Sequence, residues 1–265
     1  MTVRSPNFLV VGAQKCGTSY LCAMLARHAS VFHSDPKEPL FFQKPGVDRE
    51  NFDAYLSTYF AAASSKPWVG EGSTVYFQWP NALENIKSYL GSGISVIVSL
   101  RHPTDRAVSF YLHNLRKGRI SGNERIADVG KDVKLSPVLS SLYASHVERW
   151  LEAYGDNVLF LRFDELLESP KAFVTQATDF LGIAPMGEVN ARAVNRGFGL
   201  VWKGDILTLE TPLENGQTSP EFSLSELEDL HSLFQDDIAR TEAVLGRRLD
   251  AWKKMPDFTE RQASW

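Results

Sequence analysis

The sequence predicts an α/β fold, a three-layer arrangement in which a parallel sheet is flanked by helices. Three observations lead there. Apolar, β-branched runs at Phe8–Val11, Ile94–Leu100 and Val158–Phe163 read as strands buried on both faces. Helix-period stretches separate them, and strands alternating with helices wind into parallel sheets. The first strand leaves through a turn bounded by Gly12 and Gly17 and enters a helix carrying Leu21, Met24 and Leu25 on one face.

The totals bound the rest. The 265 residues suit one domain, with a core over about residues 7–182 and a C-terminal lid and helix over about 187–265. An apolar content of 43% with 23% charged residues belongs to a globular chain with a substantial core. The formal net charge of −4 argues against a general nucleic-acid binder. Met1–Pro6 runs into the first strand with no secretory h-region, and no apolar run reaches membrane-spanning length. Cys16 and Cys22 have the spacing of neither a metal site nor a stabilising bridge. Reduced thiols in the cytoplasm are the expectation, with no metal.

In order, Thr18 and Ser19 can cap the first helix. Ser30–His33 reads as a short strand leading into Ser34–Phe42, a loop framed by Pro36 and Pro39. A helix around Phe52–Leu56, an apolar segment Trp68–Gly70, a loop Glu71–Phe77 and a helix through Ala82–Leu90 precede the strand at Ile94–Leu100. That strand runs into Arg101-His102-Pro103, with Pro103 in the first turn of a helix bearing Arg106, Ser109 and His113. Lys117–Leu135 reads as a polar, mobile loop and Pro137–Tyr154 as one long amphipathic helix. After the third strand come short helices at Asp164–Leu167 and Pro170–Leu181, closed by Gly182. Asn195–Gly199 and Gly204–Pro220 read as loops, and Leu224–Leu245 as a final amphipathic helix.

Two places carry chemistry. A strand, a Gly-bounded turn and a helix N-terminus present unpaired N–H groups and a positive dipole end, and Lys15 adds a full charge, so Lys15-Cys16-Gly17-Thr18-Ser19 is a phosphate cradle. It is not the ATP/GTP loop, which requires Lys directly after the second Gly, where this chain has Thr18. The second place is Arg101, at the carboxyl end of a parallel strand, with Ser109 two turns further on. Nucleoside triphosphatases put a magnesium-holding acidic residue at a comparable strand end. Taken alone, Glu38 reads as a solvated carboxylate or a partner of Lys37, and His113 as a surface histidine.

Together, Lys15–Ser19, Lys37-Glu38-Pro39-Leu40-Phe41-Phe42, Arg101 to Ser109 and Leu142–Leu151 resemble the sulfotransferases that use 3′-phosphoadenosine 5′-phosphosulfate (PAPS), nearest to the heparan sulfate group. The likeness runs from about Phe8 to Gly182 and implies a P-loop-like sulfotransferase fold. It implies that Lys15, Cys16, Gly17, Thr18 and Ser19 hold the 5′-phosphosulfate. Arg101 and Ser109 would hold the 3′-phosphate, with Tyr143 in a further nucleotide-binding block. Lys15 would also be catalytic, Glu38 would take the proton of an acceptor hydroxyl, and His113 is the second candidate base. No metal is implied.

The chain departs from the heparan-type pattern at Leu40, where a histidine is usual, and at Gly72, where a lysine near the acceptor is expected. Gly216–Pro220 lacks the basic residues of a nucleotide loop. With the acidic net charge these point to a small-molecule, lipid or glycan acceptor bearing a hydroxyl. The alternatives are a divergent P-loop kinase or NTPase, and a non-catalytic module that binds the desulfated nucleotide PAP (3′,5′-adenosine bisphosphate).

Overall fold

The computed structural model describes residues 3–63, 65–187, 189, 197–213 and 219–259. In chain order they form β1 (Phe8–Gly12), α1 (Thr18–Ala26), β2 (Val31–His33), α2 (Arg49–Phe60), β3 (Trp68–Glu71), α3 (Pro80–Leu90) and β4 (Ser95–Leu100). Then come α4 (Pro103–Arg116), α5 (Pro137–Ser141), α6 (Ala144–Tyr154), β5 (Val158–Arg162), α7 (Phe163–Glu168) and α8 (Pro170–Phe180). The chain continues with β6 (Leu200–Lys203), β7 (Ile206–Leu209), β8 (Glu221–Ser223), α9 (Leu224–Ser232) and α10 (Gln235–Leu245). These elements fall into two compact units, Met1–Leu100 with Arg149–Asn195, and Arg101–Glu148 with Arg196–Trp265.

The first unit contains the expected parallel sheet flanked by helices, in the order β2-β3-β1-β4-β5. All five residues of β1 are buried, which is why the run reads as continuously apolar. From β1 the chain passes to the β2–β3 side and then returns to β4 on the other, so β1 and β4 flank the point where the winding reverses. Ligands of open parallel sheets bind outside the carboxyl ends of strands at such a point. β3, expected only as an apolar segment, is an inner strand pairing with both β1 and β2. Its four residues are too few for periodicity to reveal.

The second unit departs from expectation in three ways. The helix expected over Pro137–Tyr154 is broken: Leu142 takes extended angles (φ −80°, ψ 125°) and α6 starts afresh at Ala144. The Asp237 carboxylate accepts the N–H groups of Tyr143 at 2.6 Å and Ala144 at 3.1 Å, doing the work of a cap from a distant part of the chain. The helix expected over Leu224–Leu245 divides at Leu233–Phe234, burying Phe234 while Leu233 stays exposed. Inside the stretch Gly204–Pro220 read as a loop lies β7, which pairs with β6 and β8 in an antiparallel sheet whose first hairpin turns at Gly204 (φ 61°) and Asp205 between the paired residues Lys203 and Ile206. A Gly-Asp pair between two short apolar runs was the available hairpin signal. The loop Lys117–Leu135 contains a 3-10 turn at Ile126–Asp128, with Ile126 buried and its N–H on Glu226 Oε1 at 3.0 Å.

Candidate active site

The β1–α1 turn is shaped by its neighbours in the first unit. Ser99 on β4 brackets it: its carbonyl accepts the Ala13 N–H at 2.8 Å and its hydroxyl donates to the Cys16 carbonyl at 2.6 Å. Lys15 has a φ of 71°, a conformation that a residue with a side chain adopts only when its surroundings impose it. Gly17 follows at φ 79°, and a Cβ there would lie 2.7 Å from Leu166 Cδ2, so glycine is required on both counts. Neither Thr18 nor Ser19 caps α1. Gly17, in a left-handed conformation, is the cap residue and makes no side-chain cap bond. The first turn also carries no acidic residue. Lys15, Gly17 and Ser19 are half-buried, while Cys16 and Thr18 are buried. A phosphate or sulfate ester suits such a turn: backbone donors, a positive dipole end and an ammonium.

At the same edge, the loop after β2 meets the loop after β3. Glu38 Oε1 accepts from Lys37 Nζ at 3.0 Å and from Thr74 Oγ1 at 2.9 Å. The side chain of Glu38 stays 38% exposed. The pairing read from sequence as one possibility for Glu38 is therefore present, and Thr74 adds a second anchor. Gly72 is buried, and a Cβ on it would collide with Cys22 Sγ and lie 3.3 Å from Lys37 Cε. A lysine at this position has no room, and the Lys37 stem runs through the space beside it. His33 donates Nδ1–H to the Ser34 carbonyl at 3.0 Å, and its buried Nε2 has no hydrogen-bond partner among the described residues. Burial pushes its pKa down to about 4.

Arg101 follows directly on β4 and opens the second unit. Its guanidinium grips Asp105 through two nitrogens, Nη2 to Oδ1 at 2.9 Å and Nε to Oδ2. Tyr143 is fully buried, and its hydroxyl donates to the Arg101 carbonyl at 2.9 Å and accepts the Arg101 N–H at 3.4 Å. Tyr143 thus fixes the backbone of Arg101. Arg106 is fully buried, its guanidinium 5.6 Å from the centre of the Tyr143 ring. Ser109 and His113 are half-buried on α4, His113 in its last turn. So the turn residues and Glu38 belong to the first unit, and Arg101, Ser109, His113 and Tyr143 to the second. Gly216 to Thr218 lie outside the described residues.

Sequence reasoning missed Glu71, Ser73, Thr74, Ser99 and Asp237. Each acts through a partner 16 to 94 positions away, as in Tyr55–Glu71, Leu40–Ser73 and Tyr143–Asp237. The one local hint was a carboxylate, Glu71, ending an apolar run.

The family profile described as "Sulfotransferase domain" matches residues 5–196. Human bifunctional heparan sulfate N-deacetylase/N-sulfotransferase 3 is 27% identical over 199 residues, covering 69% of this chain and 23% of that protein. The chain therefore spans about a quarter of the length of such curated relatives. A sulfotransferase crystal structure from Alicyclobacillus acidocaldarius superposes with a TM-score of 0.73 at 26% identity, covering 95% of this chain and 100% of the other. The sulfotransferase domain of the curacin biosynthetic pathway shares the fold, with a TM-score of 0.52 at 16% identity over 94% of this chain and all of that one.

Proposed function

Because the chain belongs to the sulfotransferase domain family, we propose that residues 1–265 act as one PAPS-dependent O-sulfotransferase. The β1–α1 turn carries this reading: a lysine held at φ 71° beside a helix N-terminus whose cap residue is the left-handed Gly17. Lys15, Cys16, Gly17, Thr18 and Ser19 would hold the 5′-phosphosulfate, and Arg101 and Ser109 the 3′-phosphate. Tyr143 serves that phosphate by holding the Arg101 backbone.

The donor supplies a sulfuryl group already activated by its bond to phosphate. The acceptor oxygen attacks sulfur, forming one S–O bond as the bridging S–O bond breaks, and the electron pair leaves on the nucleotide phosphate. Lys15 and the turn amides stabilise that charge, the kind of contribution that dominates group transfer. Glu38 takes the acceptor proton, held by Lys37 and Thr74. His113 on α4 is the second candidate for this role. The acceptor is a small-molecule or glycan hydroxyl. The filled space at Gly72 and the net charge of −4 favour one less anionic than heparan sulfate. Among the described residues no helix is long and apolar enough to cross a membrane. A cytoplasmic setting agrees with the buried free thiols Cys16 and Cys22.

Titration calorimetry tests the reading. PAP should bind without magnesium at least tenfold more tightly than ATP with it. Lys15→Ala and Arg101→Ala should each weaken PAP at least tenfold. Binding of ATP alone, and only with magnesium, would return the chain to phosphoryl transfer. PAP binding without sulfuryl transfer to any hydroxyl would make it a nucleotide-binding module.

A further inference from the structure

Glu71 ends β3 with its side chain fully buried. A carboxylate in such a place is costly unless donors meet its oxygens. Three hydroxyls do so here. Tyr55 at 3.1 Å and Tyr76 at 2.9 Å donate to Oε1, and Ser73 donates to Oε2 at 2.5 Å. Two of these hydroxyls then act as acceptors toward one loop. Ser73 Oγ takes the Leu40 N–H at 3.1 Å, and Tyr76 Oη takes the Phe42 N–H at 3.2 Å. Leu40 and Phe42 are two and four residues past Glu38. Leu40 has a φ of 55°, a left-handed conformation that leucine takes only under outside constraint.

The polarity of this network has one source. An ionised carboxylate only accepts, so it draws the protons of all three hydroxyls toward itself. The lone pairs of Ser73 and Tyr76 are thereby turned to the loop amides. A glutamine of the same shape brings an NH₂ that donates, so at least one loop-linked hydroxyl must accept from it and loses the carboxylate oxygen that took its own proton. That proton then competes with the loop amide for the space around the hydroxyl. A merely space-filling residue needs no carboxylate, since an apolar side chain of similar volume fills a core at lower cost. We propose that Glu71 is a positioning residue for Glu38, acting through Ser73 and Tyr76 on the amides of Leu40 and Phe42. The proposal rests on the reading above that Glu38 takes the acceptor proton. Burial also pushes the Glu71 carboxyl up to about 7, so the protonated form carries the same polarity fault as glutamine just below neutral pH.

The test is amide hydrogen exchange of the full chain by NMR at pH 8, read at Leu40 and Phe42. It is joined to the turnover of PAPS with 4-nitrophenol as the probe acceptor. In Ser73→Ala the Leu40 amide should exchange at least tenfold faster with Phe42 unchanged, and in Tyr76→Phe the reverse. In Glu71→Gln at least one of the two amides should lose protection, with kcat down about tenfold and KM for PAPS and PAP affinity within twofold of wild type. A residue needed only for the core would lower protection across β3 and leave kcat in the folded fraction unchanged; that result overturns the proposal. So does Glu71→Gln with both amides still protected. Should Glu71→Gln fail to fold, the two hydroxyl variants decide by the same pattern. Glu38→Gln at the wild-type rate would remove the base assignment, while the exchange pattern would still report whether Glu71 holds the loop.

Discussion

At the scale of single residues, two buried titratable groups in the first unit pull stability in opposite directions as pH changes. Glu71 titrates near 7 in the folded chain against an ordinary 4.5, chiefly because burial disfavours its charge, with Glu38 adding to the rise. Between those values the folded state holds a proton that the unfolded chain releases. Its contribution therefore falls as pH rises through that window, by up to about 3 kcal/mol in all. His33 titrates near 4 against 6.5, again through burial, so its contribution is full above 6.5 and is lost as pH falls toward 4. The two slopes oppose each other between pH 4.5 and 6.5. Urea unfolding at about pH 5 and about pH 7.5 separates them. Relative to Glu71→Gln, wild type should lose a few kcal/mol on going to the higher pH, whereas relative to His33→Gln it should gain. A flat difference for Glu71→Gln would mean that the carboxylate is ionised throughout. Lys15 and Arg101 stood out in the sequence because charge near glycine or at a strand end is a local signal, whereas Glu38 stood out only through the resemblance. Ser73 and Thr74 were silent because their roles lie in partners brought near by the fold.

At the scale of elements, the turn between β1 and α1 depends on Gly17 twice, through its φ of 79° and because any Cβ there would come within 2.7 Å of Leu166. Gly17→Ala should lower stability by about 1–3 kcal/mol, a drop in Tm of several degrees by calorimetry, and weaken PAP binding at least tenfold. An unchanged Tm would show that the turn yields without penalty. The two broken helices teach the converse lesson. Apolar spacing runs on through Leu142 and through Leu233, so periodicity alone joined the pieces. What divides α5 from α6 is an extended Leu142 followed by amides taken by Asp237, 94 positions away from Tyr143. The β6–β7 hairpin escaped notice because its strands are four residues each, shorter than a pattern needs.

At the scale of the whole molecule, the order β2-β3-β1-β4-β5 sends the loops bearing Lys15, Glu38 and Thr74 to one edge of a parallel sheet. Long apolar strands made the sheet itself legible, since a strand buried on both faces must be apolar throughout. The net charge of −4 also acts at this scale. It should repel polyanionic acceptors over about a Debye length, so a neutral hydroxyl acceptor should give a higher kcat/KM than a heparan-type saccharide. Raising salt from about 0.05 to about 0.5 M should narrow the gap; a gap indifferent to salt would assign the preference to local shape. By itself the sequence determined the fold class, the glycine-bounded turn after β1 and the residues that resemble a sulfotransferase, because glycine spacing, strand composition and isolated charges act on near neighbours. Only the tertiary structure decided that Gly72 has no room for a side chain, that Tyr143 holds the Arg101 backbone and that Glu71 is wired to the loop of Glu38. Each of these is a hydrogen bond or a close approach between segments far apart in the chain, which no local pattern encodes.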